Sequence, residues 1–208
     1  MTRSTDDVGR IAALTSSQES GARPAHAAEP DMPSSARVFL DTEFTNLASD
    51  ARLISIGAVS IEGKEFYAEL ADGWAKSDCS EFVRKIVLPR LEIPVSERLS
   101  RAQCAEQLVR WLLDMGAGCS VVVVTVDSCI DWWMLGLLLD GQGWTTEQKE
   151  KFVGTQGLRV SLRPQIPHWD DAERMVRFRR MLKRSLKRLR RHHALNDARA
   201  LRAAWMAA

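Results

Sequence analysis

Hydrophobic positions recur first at a spacing of two and later at spacings of three and four, which predicts a strand-rich first half and a helix-rich second half. Residues 37–43 run Arg-Val-Phe-Leu-Asp-Thr-Glu, a strand whose apolar core ends in polar residues. Residues 52–60 form a second, largely apolar strand, and residues 65–70 alternate as a third. Polar residues separate the first two, and Gly63 stands where a hairpin turn needs it. Short links of this kind dictate an antiparallel meander. Residues 78–88 read as helical, and Pro89 and Pro94 break the helical pattern beyond them. Ser100 and Gln103 make a capping box, and Leu108, Trp111, Leu112 and Met115 repeat at helical spacing up to Gly116. Residues 120–126 are nearly all valine, the mark of a strand buried on both faces. A helix over about 130–139, closed by Gly141, a weak strand at 158–162, a long basic helix over about 170–190 and an Ala-rich helix over 194–206 complete the order. A buried strand reached through a helix must lie parallel to a neighbour. The fold class is therefore α/β: a mixed five-stranded sheet, three strands antiparallel and the others parallel, flanked by helices.

Composition narrows this in three places. Residues 1–36 carry Ser, Ala, Pro, Gly and acidic residues without apolar period, so they read as a disordered tail before one domain over 37–208. No run approaches the roughly 18 apolar residues of a membrane span, so no membrane partner is expected. Cys79, Cys104, Cys119 and Cys129 form no C-x-x-C pair and read as reduced thiols of a cytoplasmic protein. The net charge of +2 hides an asymmetry. The tail holds three basic and five acidic residues, whereas Arg174 to His193 holds ten Arg or Lys and no acidic residue. That charge suits a polyanionic partner, while Met175, Phe178, Leu182, Leu186 and Leu189 are spaced to form the same helix's buried face.

Candidate chemistry sits where polar residues interrupt apolar ones. In a strand, Asp41 and Glu43 point the same way, and two adjacent carboxylates repel unless a cation joins them. Mg²⁺ or Mn²⁺ prefers such hard oxygen ligands. Asp127 and Asp131 follow the buried valine strand, at a strand end where sites in sheet-and-helix folds gather. Asp127 reads as a turn residue or helix cap, and Asp131, set in Ile130-Asp131-Trp132-Trp133, as a ligand. Trp132 and Trp133 read as core or pocket wall. Asp197 lies among Ala and Leu, beside His192 and His193, which titrate near neutrality as a general base should. Periodicity puts His193 on one face with Asp197.

Together, Asp41-Thr42-Glu43-Phe44, Leu53-Ile54-Ser55-Ile56-Gly57, Glu65-Phe66-Tyr67-Ala68 and His192-His193-Ala194-Leu195-Asn196-Asp197-Ala198-Arg199 resemble the DEDDh 3′–5′ exonucleases, most nearly their mycobacterial exoribonuclease-like branch. The resemblance covers about 37–205 and implies a ribonuclease H-like fold, two divalent metal ions and, for many members, a homodimer. By position it implies Asp41, Glu43, Asp131 and Asp197 as metal ligands, with Asp127 in reserve for Asp131. It implies His192 rather than His193 as general base, and Phe44 and Thr45 as substrate contacts. The activity implied is 3′–5′ exoribonuclease cleavage of single-stranded nucleic acid, RNA ahead of DNA, releasing nucleoside 5′-monophosphates. A DNA-trimming exonuclease and a catalytically idle nucleic-acid-binding module are the alternatives.

Overall fold

The computed structural model describes residues 35–119, 121–140, 161–168 and 170–208, all within the compact unit Pro33–Ala208. The tail expected over 1–36 lies outside the described residues up to 34, and residues 35 and 36 already belong to the first strand. Among the described residues there are five strands: β1 (Ser35–Phe44), β2 (Leu53–Ser60), β3 (Glu65–Glu69), β4 (Val121–Thr125) and β5 (Ser161–Gln165). They lie in the order β3-β2-β1-β4-β5. β1, β2 and β3 pair antiparallel, and β4 pairs parallel to both β1 and β5. This is the mixed sheet expected. Pro164 cannot donate to a ladder, which suits the edge position of β5. Residues 158–160 of the weak strand, and Gly141, lie outside the described residues.

Among the described residues four helices cover the sheet: α1 (Arg101–Met115), α2 (Cys129–Leu139), α3 (Ala172–Arg188) and α4 (Ala194–Met206). The alternation along β1 divides the core. Val38 and Leu40 face α1 and α2, packing with Leu108, Leu112, Met134 and Leu138. Phe39 faces the other way, onto Phe178 of α3 and Leu201 of α4. By the same period Asp41 and Glu43 share the face of Phe39, and Thr42 shares that of Leu40.

Residues 78–88 differ from the regular helix expected. A 3₁₀ turn spans Lys76–Asp78, a π turn Val83–Val87 and another 3₁₀ turn Leu88–Arg90. Pro89 has no N–H to carry an α-helical ladder onward, and the chain tightens there instead. All four cysteines are free. Among the described residues no helix is long and apolar enough to cross a membrane.

Candidate active site

A cleft of about 530 Å³ opens at the end of β1. Asp41 and Glu43 reach it from β1, Asp127 and Asp131 from the β4–α2 junction, and His192 and Asp197 from the start of α4. Residues far apart in sequence therefore converge because three element ends meet: β1, β4 and the α3–α4 link.

Each end is held by a specific contact. On α2, Ser128 is the N-cap and accepts from the Ile130 N–H at 3.1 Å. Asp127, expected as a turn residue or cap, is thereby left in the cleft with the other carboxylates. Asp131 is 3% exposed. Its Oδ1 accepts from the Thr42 N–H at 3.0 Å and from the Thr42 hydroxyl at 2.6 Å. Thr42, on the α2 face of β1, thus clamps the first turn of α2 to the strand that carries Asp41 and Glu43.

The start of α4 is held differently. Gly57 pairs with Asp41 across β1 and β2, and faces α4. A Cβ added at Gly57 would lie 2.3 Å from the Leu195 nitrogen and 2.5 Å from the Ala194 carbonyl carbon. Only a residue without a side chain lets the helix backbone approach the sheet there. Ahead of it, Arg190 and His192 adopt left-handed φ values of 61° and 69°. Such a conformation costs about 1–2 kcal/mol per non-glycine residue. It is offset in part because the His192 N–H donates to Asp197 Oδ2 at 2.9 Å. The His192 ring stands edge-on to Phe82, with centroids 5.0 Å apart.

Burial and mutual repulsion set the electrostatics. Desolvation, then Asp131 and Asp197, hold the Asp41 carboxyl well above its usual range. Desolvation, then Asp197 and Asp131, push Glu43 up to about 8. Desolvation raises Asp131 to about 7 and Asp197 to about 6, and raises Asp127 as well. His192 is lowered, chiefly by desolvation and then by Arg191 and Arg90, so its ring is neutral at pH 7.

Oxygens of Asp41, Asp127 and Asp131 lie within 4.8 Å of one another, as do the donor atoms of Glu43, His192 and Asp197. Among the described residues Asp197 Oδ1 is buried without a hydrogen-bond partner. A hard, oxygen-rich donor set with such a buried carboxylate oxygen fits a divalent cation.

The remaining expected residues divide. Phe44 lines the cleft. Thr45 does not: it is fully buried, and its hydroxyl accepts from the Arg52 N–H at 3.0 Å, closing the β1–β2 turn. His193 is 5% exposed and stacks on Tyr67 at 4.6 Å, outside the cleft that holds His192. Trp132 packs against the core and Trp133 is 41% exposed. Sequence reasoning assigned nothing to Thr42 or to Gly57. A hydroxyl between two carboxylates and a glycine inside an apolar strand were the available signals.

No protein-family description matches the chain, and no curated protein matches it. Among solved structures it is similar to the crystal structure of cell-death related nuclease 4, at 13% identity and a TM-score of 0.46. That match covers 81% of this chain and 62% of the nuclease, so the chain spans less than two thirds of that protein's length.

Proposed function

We propose that the chain is a metal-dependent 3′–5′ exonuclease, acting on single-stranded RNA and releasing nucleoside 5′-monophosphates. The observation that supports this most is the convergence of five carboxylates and one neutral histidine on a single cleft. A cluster of carboxylates around a cleft without a cation to hold is costly, because the charges repel and the most buried, Glu43 and Asp131, are desolvated.

Asp41, Asp127 and Asp131 would hold one cation, and Glu43 and Asp197 a second. When bound, two such ions supply neutralising charge for the attacking and leaving oxygens of an in-line displacement at phosphorus. His192 accepts the proton of the attacking water; its lowered pKa keeps the ring unprotonated and able to do so. The Asp197 carboxylate fixes the backbone of His192, and so orients the ring. Phe44 and Phe82 give the cleft an apolar wall against which a terminal nucleoside can lie. Reaction splits the P–O3′ bond: water oxygen joins phosphorus, and the shortened strand leaves with a 3′-hydroxyl.

The test is product analysis with two variants. Wild-type protein with Mn²⁺ yields 5′-monophosphates one at a time, whereas His192→Ala removes at least about 100-fold of the rate, the scale of lost acid–base catalysis, and Asp41→Ala, which removes a cation ligand, abolishes turnover. A folded Asp41→Ala protein with normal activity contradicts the reading.

A further inference from the structure

The cations of α3 are not equivalent. Leu186 lines the cleft, so one edge of the helix faces it. At 3.6 residues per turn, Arg179 and Lys183 lie within about 60° of Leu186 on the solvent side, whereas Arg177 and Arg184 lie about 160–180° away. All four are exposed. The buried stripe runs on the other flank of Leu186, where Phe178 and Leu182 pack with Phe39, Leu201 and Trp205. Just past the helix, Arg191 lines the cleft itself. Arg191, Lys183 and Arg179 therefore make a positive edge that starts in the cleft and runs toward the helix N-terminus. From Leu186 to Arg179 it extends about 10 Å, at 1.5 Å per residue.

We infer that this cleft-side edge of α3 is a backbone track for the substrate, with phosphates upstream of the 3′-terminal nucleotide lying along Arg191, Lys183 and Arg179. The inference rests on the cleft as the seat of the 3′ end, and it names the substrate class more closely: a single-stranded oligonucleotide of several nucleotides or a longer polymer, not a dinucleotide. Contacts of this kind read charge and not bases, so the track is tolerant of sequence. The opposite edge, with Arg177 and Arg184, faces away and plays no part. A solvated basic face with no track would make the two edges interchangeable.

The experiment compares two charge reversals of equal size. Arg179→Glu/Lys183→Glu alters the cleft-side edge, and Arg177→Glu/Arg184→Glu the far edge. Binding of a fluorescein-labelled single-stranded RNA of about a dozen nucleotides is read by anisotropy with chelator present, so no turnover is needed. The cleft-side pair is expected to weaken binding by about tenfold or more. It also lowers the slope of log affinity against log salt by about 1.4, two phosphate contacts at about 0.7 each. The far pair stays within about threefold. In the far pair, turnover of a dinucleotide with Mn²⁺ is expected to change by less than about threefold. Equal weakening by the two pairs, or none by either, overturns the track. Absence of any nuclease turnover strikes the exonuclease reading instead and leaves the binding comparison to decide the track.

Discussion

Replacing Gly57 with Ala tests how the fold sets the cleft's geometry. The added Cβ meets backbone, not the end of a side chain: 2.3 Å to the Leu195 nitrogen and 2.4 Å to its Cα. Ordinary contact begins near 3.4 Å, so the first turn of α4 must retreat by 3.4 minus 2.3, about 1.1 Å. Two effects oppose one another. Alanine in a strand gains about 0.5–1 kcal/mol over glycine through lost unfolded-state freedom. Overpacking a filled core costs about 1–3 kcal/mol, and here the obstacle is a helix held on its far side by α3. The clash wins, and at about 2–4 °C per kcal/mol for a chain of this size the melting temperature falls by several degrees. Asp197 and His192 move with α4, away from Glu43 and Asp41. A displacement near 1 Å costs about 100-fold in rate. Calorimetry and a metal-dependent RNA turnover assay read both effects on one preparation. A Gly57→Ala protein as stable and as active as wild type would refute the reasoning.

The same cleft yields further expected outcomes. Thr42→Val keeps the shape of the side chain but removes the hydroxyl donor to Asp131, so titration by Mn²⁺ should show affinity weaker by about 10- to 100-fold, while an unchanged affinity would show that the clamp does not tune the site. Asp41→Asn relieves repulsion, so the metal-free variant should melt above metal-free wild type yet lose the stabilisation Mn²⁺ gives wild type; thermal melts with and without chelator decide it. Metal-free stability should depend on pH with a definite sign. The folded-state values of Asp197, Asp131 and Glu43, about 6, 7 and 8, exceed their ordinary values near 4, so the folded chain holds extra protons between. That stability is fully present below about pH 4 and is lost as pH rises through 6 to 8. Urea melts in chelator should show the decline, and added Mn²⁺ should remove it.

Much of this architecture is legible in the sequence because its local signals agree with the tertiary outcome. The valine run forms β4 between two parallel partners, with Val122, Val124 and Thr125 buried and Val121 and Val123 half-buried. The Ser100–Gln103 box forms as written, with bonds of 3.2 and 2.9 Å in its two directions. The last helix spans the residues its alanine pattern marks. What periodicity misses is set by contacts between distant segments. The π and 3₁₀ turns after Asp78 arise from how that segment packs around Val83 and Val87, not from its own spacing. The resemblance implies a substrate contact at Thr45, a position where the β1–β2 turn takes up the hydroxyl. Asp127 reads as a turn residue or helix cap; it lies in the turn before α2, where Ser128 takes the cap and leaves Asp127 beside Asp41 and Asp131. His192 and His193 look alike in the chain, and only the left-handed turn at 190–192 sends one into the cleft and the other onto Tyr67.

The most direct measurement tracks the fate of label at each end of a strand. Purified protein is incubated with Mn²⁺ and with 3′-labelled or 5′-labelled single-stranded RNA and DNA, with chelator arms beside each. The account predicts that the 3′ label leaves first as a mononucleotide, that RNA is shortened faster than DNA, and that chelator stops the reaction. Faster loss from DNA would reassign the substrate. Folded protein that binds RNA but releases no 3′ label with metal would contradict the central claim and leave a nucleic-acid-binding module in its place.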